Sequence, residues 1–212
     1  MNEKKLSMLF VLLLSFVLGG CGKKAITKEE VSDYEKIHTM LLELENFSAT
    51  ATVKYISNKN ENIFSMRQFA KITGEYRLEI TDPENSRGTI TVYDLNQIAQ
   101  INPTVNDKVI ITKNESAERS EIFLTSFIRN YFTSKEVSVA VSDIGDSKCT
   151  VLEAVIKGDH PYISTEKLWV DNETKKPVKL EIYDADGTAR IIVTYGEFFY
   201  NTELDDKIFK IG

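Results

Sequence analysis

The sequence has few of the residues on which most small catalytic and metal sites depend. Only two cysteines and two histidines occur among its 212 residues. There is no His-Glu-x-x-His motif, paired-cysteine spacing or other compact ligand pattern, so we expect no zinc site and no metal cofactor in this chain. A Gly-x-Ser-x-Gly nucleophile motif and a phosphate-binding glycine loop are also missing. A hydrolase with two catalytic carboxylates stays open, because the sequence does not give the separation of its many acidic side chains.

Basic clusters are missing as well. No run of lysine and arginine is longer than two residues, and the chain carries a net charge of −6. The first twenty residues hold Glu3, Lys4 and Lys5, a net +1, so the remainder carries −7. Nucleic acids are bound by basic patches that displace counterions, so we expect no nucleic-acid partner. This charge also gives no help in attaching the protein to an anionic membrane surface.

Long hydrophobic runs are absent except near the amino terminus. Residues 8–18 are apolar apart from Ser15, and Lys4 and Lys5 precede them. The run is too short for a permanent membrane span, but it suits the hydrophobic region of a secretory signal. We therefore expect residues 1–20 to be a signal peptide.

The residues that end this segment, Leu18-Gly19-Gly20-Cys21, resemble a bacterial lipobox. The resemblance implies cleavage between Gly20 and Cys21, a diacylglyceryl thioether on Cys21 and acylation of the new amino terminus. An ordinary signal peptide followed by a chance cysteine is the alternative. We expect a tether at residues 21–27 and a single domain at residues 28–212. The lipid would hold the protein on the extracytoplasmic side of a membrane.

Acylation of Cys21 would leave Cys149 without a partner for an intramolecular disulfide. Cys149 lies in a strand-like run, which predicts a small buried thiol, with intermolecular pairing or a reactive thiol as the alternatives. The stability of the fold must then come from a hydrophobic core, which a chain of this length is able to supply.

Two segments have helical periodicity. A stripe of apolar residues spaced by three and four predicts a helix from Lys28 to Asn46, with Thr27 as its start signal. The stripe consists of Val31, Tyr34, Ile37, His38, Leu41 and Leu44. A second helix is predicted from Glu118 to Phe132, with Ser116 and Ser120 as candidate caps.

The other segments alternate with a period of two residues, which predicts strands. The first group is 47–55, 62–72, 75–81, 88–93, 97–101 and 108–112, and the second is 137–141, 149–156, 166–170, 178–183, 190–195 and 208–211. Helices do not alternate with strands, which disfavours a parallel sheet, and long antiparallel sheets curl. The predicted fold class is α+β: a highly curved antiparallel half-barrel with two helices on its concave face.

The last third of the chain carries a family resemblance. Its series is Trp-Val-Asp at 169–171, a short turn, Pro-Val-Lys at 177–179, a strand, and then Asp184 and Gly187 before the next strand. This series looks like the lipoprotein-carrier (LolA/LolB-like) superfamily. The resemblance implies a half-barrel of about eleven strands capped by helices. In the carrier members an apolar concavity holds acyl chains.

The whole chain also resembles the clostridial spore-germination lipoproteins, through its lipobox, mature length, acidic charge and carrier-like domain. This implies a non-enzymatic accessory lipoprotein that binds a zinc-dependent N-acetylmuramoyl-L-alanine amidase. The pair would trim peptides from cortex peptidoglycan on the way to muramic-δ-lactam, which germination enzymes recognise. In a sporulating cell, the protein would lie in the forespore intermembrane space. Cys21 is the one functional residue of these lipoproteins that can be assigned to a position of this chain. The residues that would bind the partner stay unknown.

Several alternatives and local expectations accompany this interpretation. The rival function is a lipid- or lipopeptide-binding carrier or sensor of the cell envelope. An open sheet has edges that invite pairing, so a homodimer formed by strand exchange is a further expectation.

His38 is expected to pack in the first helix, and His160 to lie in an exposed loop. At least one of Phe198, Phe199 and Tyr200 should be exposed, because side chains on a strand alternate between faces.

Overall fold

The computed structural model describes residues 27–102, 107–112, 120–158 and 160–211. Gly20, Cys21 and the candidate cap Ser116 lie outside the described residues. Two α-helices occur in this part, α1 (Lys28–Leu42) and α2 (Leu124–Thr133). The strands are β1 (Asn46–Ile56), β2 (Glu61–Lys71), β3 (Tyr76–Asp82), β4 (Ile90–Tyr93), β5 (Gln97–Asn102), β6 (Asp107–Thr112), β7 (Val137–Ile144), β8 (Ser147–Val155), β9 (Thr165–Asp171), β10 (Pro177–Tyr183) and β11 (Ala189–Tyr200).

The described strands form one sheet, in the order β6-β5-β4-β3-β2-β1-β11-β10-β9-β8-β7. Every neighbouring pair is antiparallel. The first and last strands meet at its centre, with a register shift between Ala49 and Ala51 of β1. Among the described strands, β6 and β7 are the two edges. The predicted fold class, an open antiparallel sheet of eleven strands with two helices, is confirmed.

Helix α1 begins where the sequence predicts. The Thr27 side chain accepts a hydrogen bond from the Glu30 N–H, and the Glu30 carboxylate accepts one from the Thr27 N–H. This capping box satisfies two N–H groups that a helix start leaves unpaired. Ile37 and Leu41 are buried against the sheet, whereas Val31, at the start of the predicted stripe, is exposed.

Helix α2 begins later than predicted, at Leu124 rather than Glu118. Ser120 is not its cap: the Phe123 N–H donates to the Ser120 carbonyl in a turn, and Phe123 itself occupies the N-cap position. Phe123 has an extended backbone, and its ring stacks on Tyr76 with the centroids 4.6 Å apart. Packing against the sheet therefore sets where this helix begins, rather than a polar cap.

The strand predicted at 208–211 is wrong. Residues Asp206–Phe209 form a 3₁₀-helix in which the Asp205 side chain accepts from the Lys207 N–H. Phe209 is buried, and Lys71 forms an ion pair with Asp206. Phe209 is the one buried residue of this turn, so a single inward-facing position was mistaken for a strand pattern.

Both helices lie on one face of the sheet, which we call the inner face. One continuous hydrophobic cluster joins Ile37 of α1 and Phe127 of α2 to strand residues such as Phe47, Leu168 and Val193. A smaller cluster of Cys149, Val151 and Trp169 lies on the opposite face. Cys149 is a free, fully buried thiol, as predicted, and burial raises its pKa. Neither helix of the described chain has the length and hydropathy to cross a bilayer.

Candidate functional site

The inner face is filled by the protein's own side chains. Leu124 and Phe127 of α2 are fully buried there, and Ile37 and Leu41 of α1 are buried beside them. The facing strand residues, including Leu180, are equally inaccessible to solvent. In the described part of this chain, side chains of both helices fill the space over the sheet.

A residual cavity of about 420 Å³ remains beside α2. Three residues of α2 line it, namely Ser126, Arg129 and Asn130, and we call this space the α2 cavity. The rest of the lining is Thr73, Gly74, Tyr93, Leu95, Ser120, Glu121, Ile156 and Ile163. Hydroxyl, amide and charged groups form much of this wall, which suits a polar ligand better than an acyl chain.

Glu166 is a buried carboxyl group next to this cavity. It lies on β9 with 0% of its surface exposed, and its Oε1 accepts a hydrogen bond of 2.8 Å from the Asn130 amide. Within the described residues, neither its Oε2 nor the buried Tyr195 hydroxyl has a hydrogen-bond partner. Burial raises the pKa of Glu166 to about 7, although the Asn130 hydrogen bond acts in the opposite direction. Burial, followed by the charge of Glu166, raises the pKa of Tyr195.

The sequence interpretation missed this group, although a signal for it was present. Glu166, Leu168 and Val170 alternate along one strand, and all three are buried. An acidic residue that shares the two-residue alternation of buried apolar residues is expected to face inward with them. Residue types alone do not give Asn130 as its partner, because Asn130 lies on α2, far away in the sequence.

The two histidines lie in separate settings. His38 packs at the seam of the two helices, with Nδ1 3.4 Å from the Tyr34 hydroxyl and its ring 5.1 Å from that of Phe132. His160 is exposed in a loop, where its Nδ1 accepts from the Tyr162 N–H. Both predicted settings are confirmed. Across the described ranges, no group of three or more His, Cys, Asp and Glu side chains is placed to hold a metal ion.

The aromatic triplet near the end of β11 divides between the two faces. Phe198 is fully buried and stacks on Phe47 with the ring centroids 5.0 Å apart. Phe199 is 49% exposed, and the Lys176 ammonium lies over its ring, 5.3 Å from the centroid. The prediction that at least one of the three is exposed is confirmed.

Comparisons with known proteins place the chain in a sporulation context. A family model described as sporulation protein YdcC-like matches residues 2–209. No curated protein sequence matches the chain. An uncharacterised conserved protein from Thermus thermophilus has the same fold, at 12% identity and a TM-score of 0.52, covering 84% of this chain and 94% of its own.

Two further solved structures are similar. One is that of the CwlD amidase from Clostridioides difficile in complex with the GerS lipoprotein. Its GerS chain is 29% identical, at a TM-score of 0.49, with 85% of this chain and 99% of that chain covered. The other is a LolA superfamily protein from Nitrosomonas europaea, 17% identical at a TM-score of 0.45, with coverage of 85% and 97%. The family recognised from the sequence and the family found by comparison agree.

Proposed function

The chain belongs to the YdcC-like sporulation protein family, and from that premise we propose that it is a non-enzymatic accessory protein that binds a cell-wall N-acetylmuramoyl-L-alanine amidase and raises its activity. In this proposal residues 1–20 are removed and a lipid on Cys21 anchors the domain on the extracytoplasmic side of a forespore membrane. The trimmed cortex peptidoglycan is then converted to muramic-δ-lactam. The zinc ion belongs to the amidase.

The filled inner face is the observation that carries this proposal. A carrier needs accessible apolar volume, whereas here residues such as Phe127, Ile128 and Leu41 occupy the inner face and are almost completely buried. Opening that space would require α2 to leave the sheet, which would expose these apolar side chains to water. A protein built in this way is suited to act through its outer surfaces. This supports a binding scaffold over the rival lipid carrier.

The choice of partner rests on sequence rather than on geometry. The family is a sporulation family, and the chain resembles the clostridial spore-germination lipoproteins in its lipobox, length and charge. GerS occurs in a complex with an amidase, and we extend that type of partner to this chain as a hypothesis. No residue of the present chain is assigned to the contact.

Stimulation without catalysis requires differential binding. A scaffold that binds the active form of an amidase more tightly than the inactive form shifts the population toward the active form. A tenfold shift needs a difference of ~1.4 kcal/mol in binding free energy. A moderate protein interface supplies this without any chemistry from the scaffold.

The test uses the purified mature chain, the amidase encoded by the same genome, and isolated cortex peptidoglycan. We expect no peptide release by the mature chain alone and a rate several times the basal rate when both proteins are present. Amidase treated with a chelator is the control, and it should be inactive with or without the scaffold. Failure of the two proteins to co-purify, together with an unchanged rate, would reject the proposal.

The same preparation tests the carrier alternative. Native mass spectrometry of the mature chain after exposure to bacterial lipids should show only the mass of the protein and its own anchor. A further stoichiometric acyl ligand would favour the carrier. Peptide release by the scaffold alone would instead favour the hydrolase.

A further inference from the structure

We infer that β7 is a self-pairing edge through which two copies of this protein form a two-fold antiparallel dimer. Strand β7 ends the described sheet, and it pairs with β8 at eight consecutive positions without a register shift. Its hairpin closes on the pair Ile144–Ser147 through a two-residue turn in which Gly145 has a φ of 58°. An edge strand of this regularity is a template for another strand.

The turn determines which backbone groups of β7 are free. A two-residue hairpin loop closes on a hydrogen-bonded pair, and hydrogen-bonded pairs then alternate along the ladder. The even-numbered residues from Ile144 back to Ser138 therefore bond to β8. The N–H and C=O groups of Val137, Val139 and Val141 point away from the sheet.

The same three residues form an exposed apolar stripe. Val137, Val139 and Val141 are 51%, 41% and 37% exposed. They pair across the ladder with Ala154, Leu152 and Thr150, which are buried on the inner face, so the stripe lies on the helix side of the sheet. The segment 137–142 contains no charged residue and no proline, which are the usual devices that protect an edge. The other edge, β6, begins with a charged pair, Asp107 and Lys108.

One register of the two β7 strands pairs the valines with each other and brings opposite charges together. If Val139 lies opposite Val139 of a second copy, then Val137 lies opposite Val141. Lys135, in the bend just before β7, then lies near Asp143 of the second copy. Lys135 and Asp143 are both exposed, and neither has an ion pair within the described chain. The two-fold axis repeats the ion pair at both ends of the valine stripe. A shift of the axis to Ala140 would instead place Asp143 opposite Val137.

This charge complementarity favours a second copy over an unrelated strand. The sequence of this edge is complementary to itself in an antiparallel pair. Apolar residues occupy alternate positions, a cation precedes them and an anion follows them. The resulting sheet is continuous, and the helices of both copies lie on the same side. Pairing by edge addition leaves each fold intact, which distinguishes it from the strand exchange expected from the sequence.

The first test measures association of the mature chain by sedimentation over about 1 to 200 µM. We expect a reversible monomer–dimer equilibrium in the wild type. Val139→Lys places two ammonium groups opposite each other and should weaken dimerisation at least about tenfold. Ala140→Lys adds the same charge to the same strand but on the opposite face, and should leave the dissociation constant within about threefold. Circular dichroism confirms that both variants fold.

A charge exchange tests the register. Lys135→Asp and Asp143→Lys each place like charges opposite each other at both ends of the pair, and each should weaken the dimer about fivefold. The double variant restores opposite charges and should recover the affinity of the wild type. This register would be rejected if both single variants weaken the dimer and the double variant does not recover the wild-type affinity.

Hydrogen exchange gives an independent readout. The amides of Val139 and Val141 should exchange more slowly in concentrated than in dilute samples, whereas the Ala140 amide, already bonded to β8, should not change. A chain that stays monomeric at every concentration, or a dimer that forms equally well in Val139→Lys, would overturn the inference. A monomer whose Val139→Lys variant loses amidase stimulation would show that the amidase occupies this edge. The inference itself does not depend on the amidase.

Discussion

A single buried carboxyl group, Glu166, makes the stability of the inner face depend on pH. Its pKa in the fold is about 7, against an ordinary value of 4.5. The folded state therefore holds this proton more tightly than the unfolded chain does. The stabilisation is fully present below pH 4.5 and is lost as the pH rises toward 7. The neighbouring Tyr195 stays neutral over this range, because the ordinary pKa of a tyrosine is already 10 and burial raises it further.

Replacement of Glu166 by glutamine should remove this dependence. The amide keeps an acceptor for the Asn130 side chain but carries no charge at high pH. We expect Glu166→Gln to be more stable than the wild type by about 3 kcal/mol at pH 8, and nearly equal to it at pH 4. Denaturant unfolding at several pH values measures the difference. Glu197→Gln, an exposed change, is the control, and parallel stability curves for the wild type and Glu166→Gln would contradict the assignment.

At the scale of elements, the capping box of α1 is a local source of stability. Thr27→Ala removes the side-chain acceptor for the Glu30 N–H and should lower the free energy of unfolding by ~1 kcal/mol. Thr39→Ala, an exposed threonine inside the same helix, should have no destabilising effect, because alanine has the higher helix propensity. Urea denaturation compares the two variants. An equal loss of stability in both would show that the cap contributes little.

The elements also show how far the sequence predicts this fold. Two-residue alternation located strands such as β1 and β10 within a few residues, because each strand has one buried and one wetter face. It failed at residues 208–211, where the buried Phe209 is reached by a 3₁₀ turn. Helical periodicity placed the start of α2 too early, since a ring contact between Phe123 and Tyr76 sets that boundary. Contacts between residues distant in the sequence are not encoded in local periodicity.

At the scale of the whole molecule, the resemblance to lipoprotein carriers predicted the architecture but not the state of its interior. The positions of the strands and helices follow from periodic patterns, whereas the filling of the inner face depends on how Phe127 and Leu41 pack over the sheet. The Glu166–Asn130 pair was likewise hidden, because β9 and α2 meet only in the fold. The domain thus combines a carrier-like sheet with a packed apolar interior, which leaves the polar α2 cavity, the outer surfaces and the sheet edges as places for binding.

In the proposed function, the location of this domain depends on Cys21. Residues 21–212 carry −7, so electrostatics would not hold them on an anionic membrane. Each methylene buried in a bilayer contributes ~0.8 kcal/mol, and two or more acyl chains anchor a protein stably. Cys21→Ser should therefore abolish fatty-acid labelling of the protein in living cells and move it out of the membrane fraction.

Cys149→Ala is the matched control for this experiment, because it removes the other cysteine, which is buried. It should keep both the label and the membrane fraction. Labelling is followed with a fatty-acid analogue, and location by centrifugation of disrupted cells. If the Cys21→Ser protein still carries label and sediments with membranes, the anchor lies elsewhere. If the wild type carries no label, the lipobox is a chance match and the domain must reach its partner without a lipid.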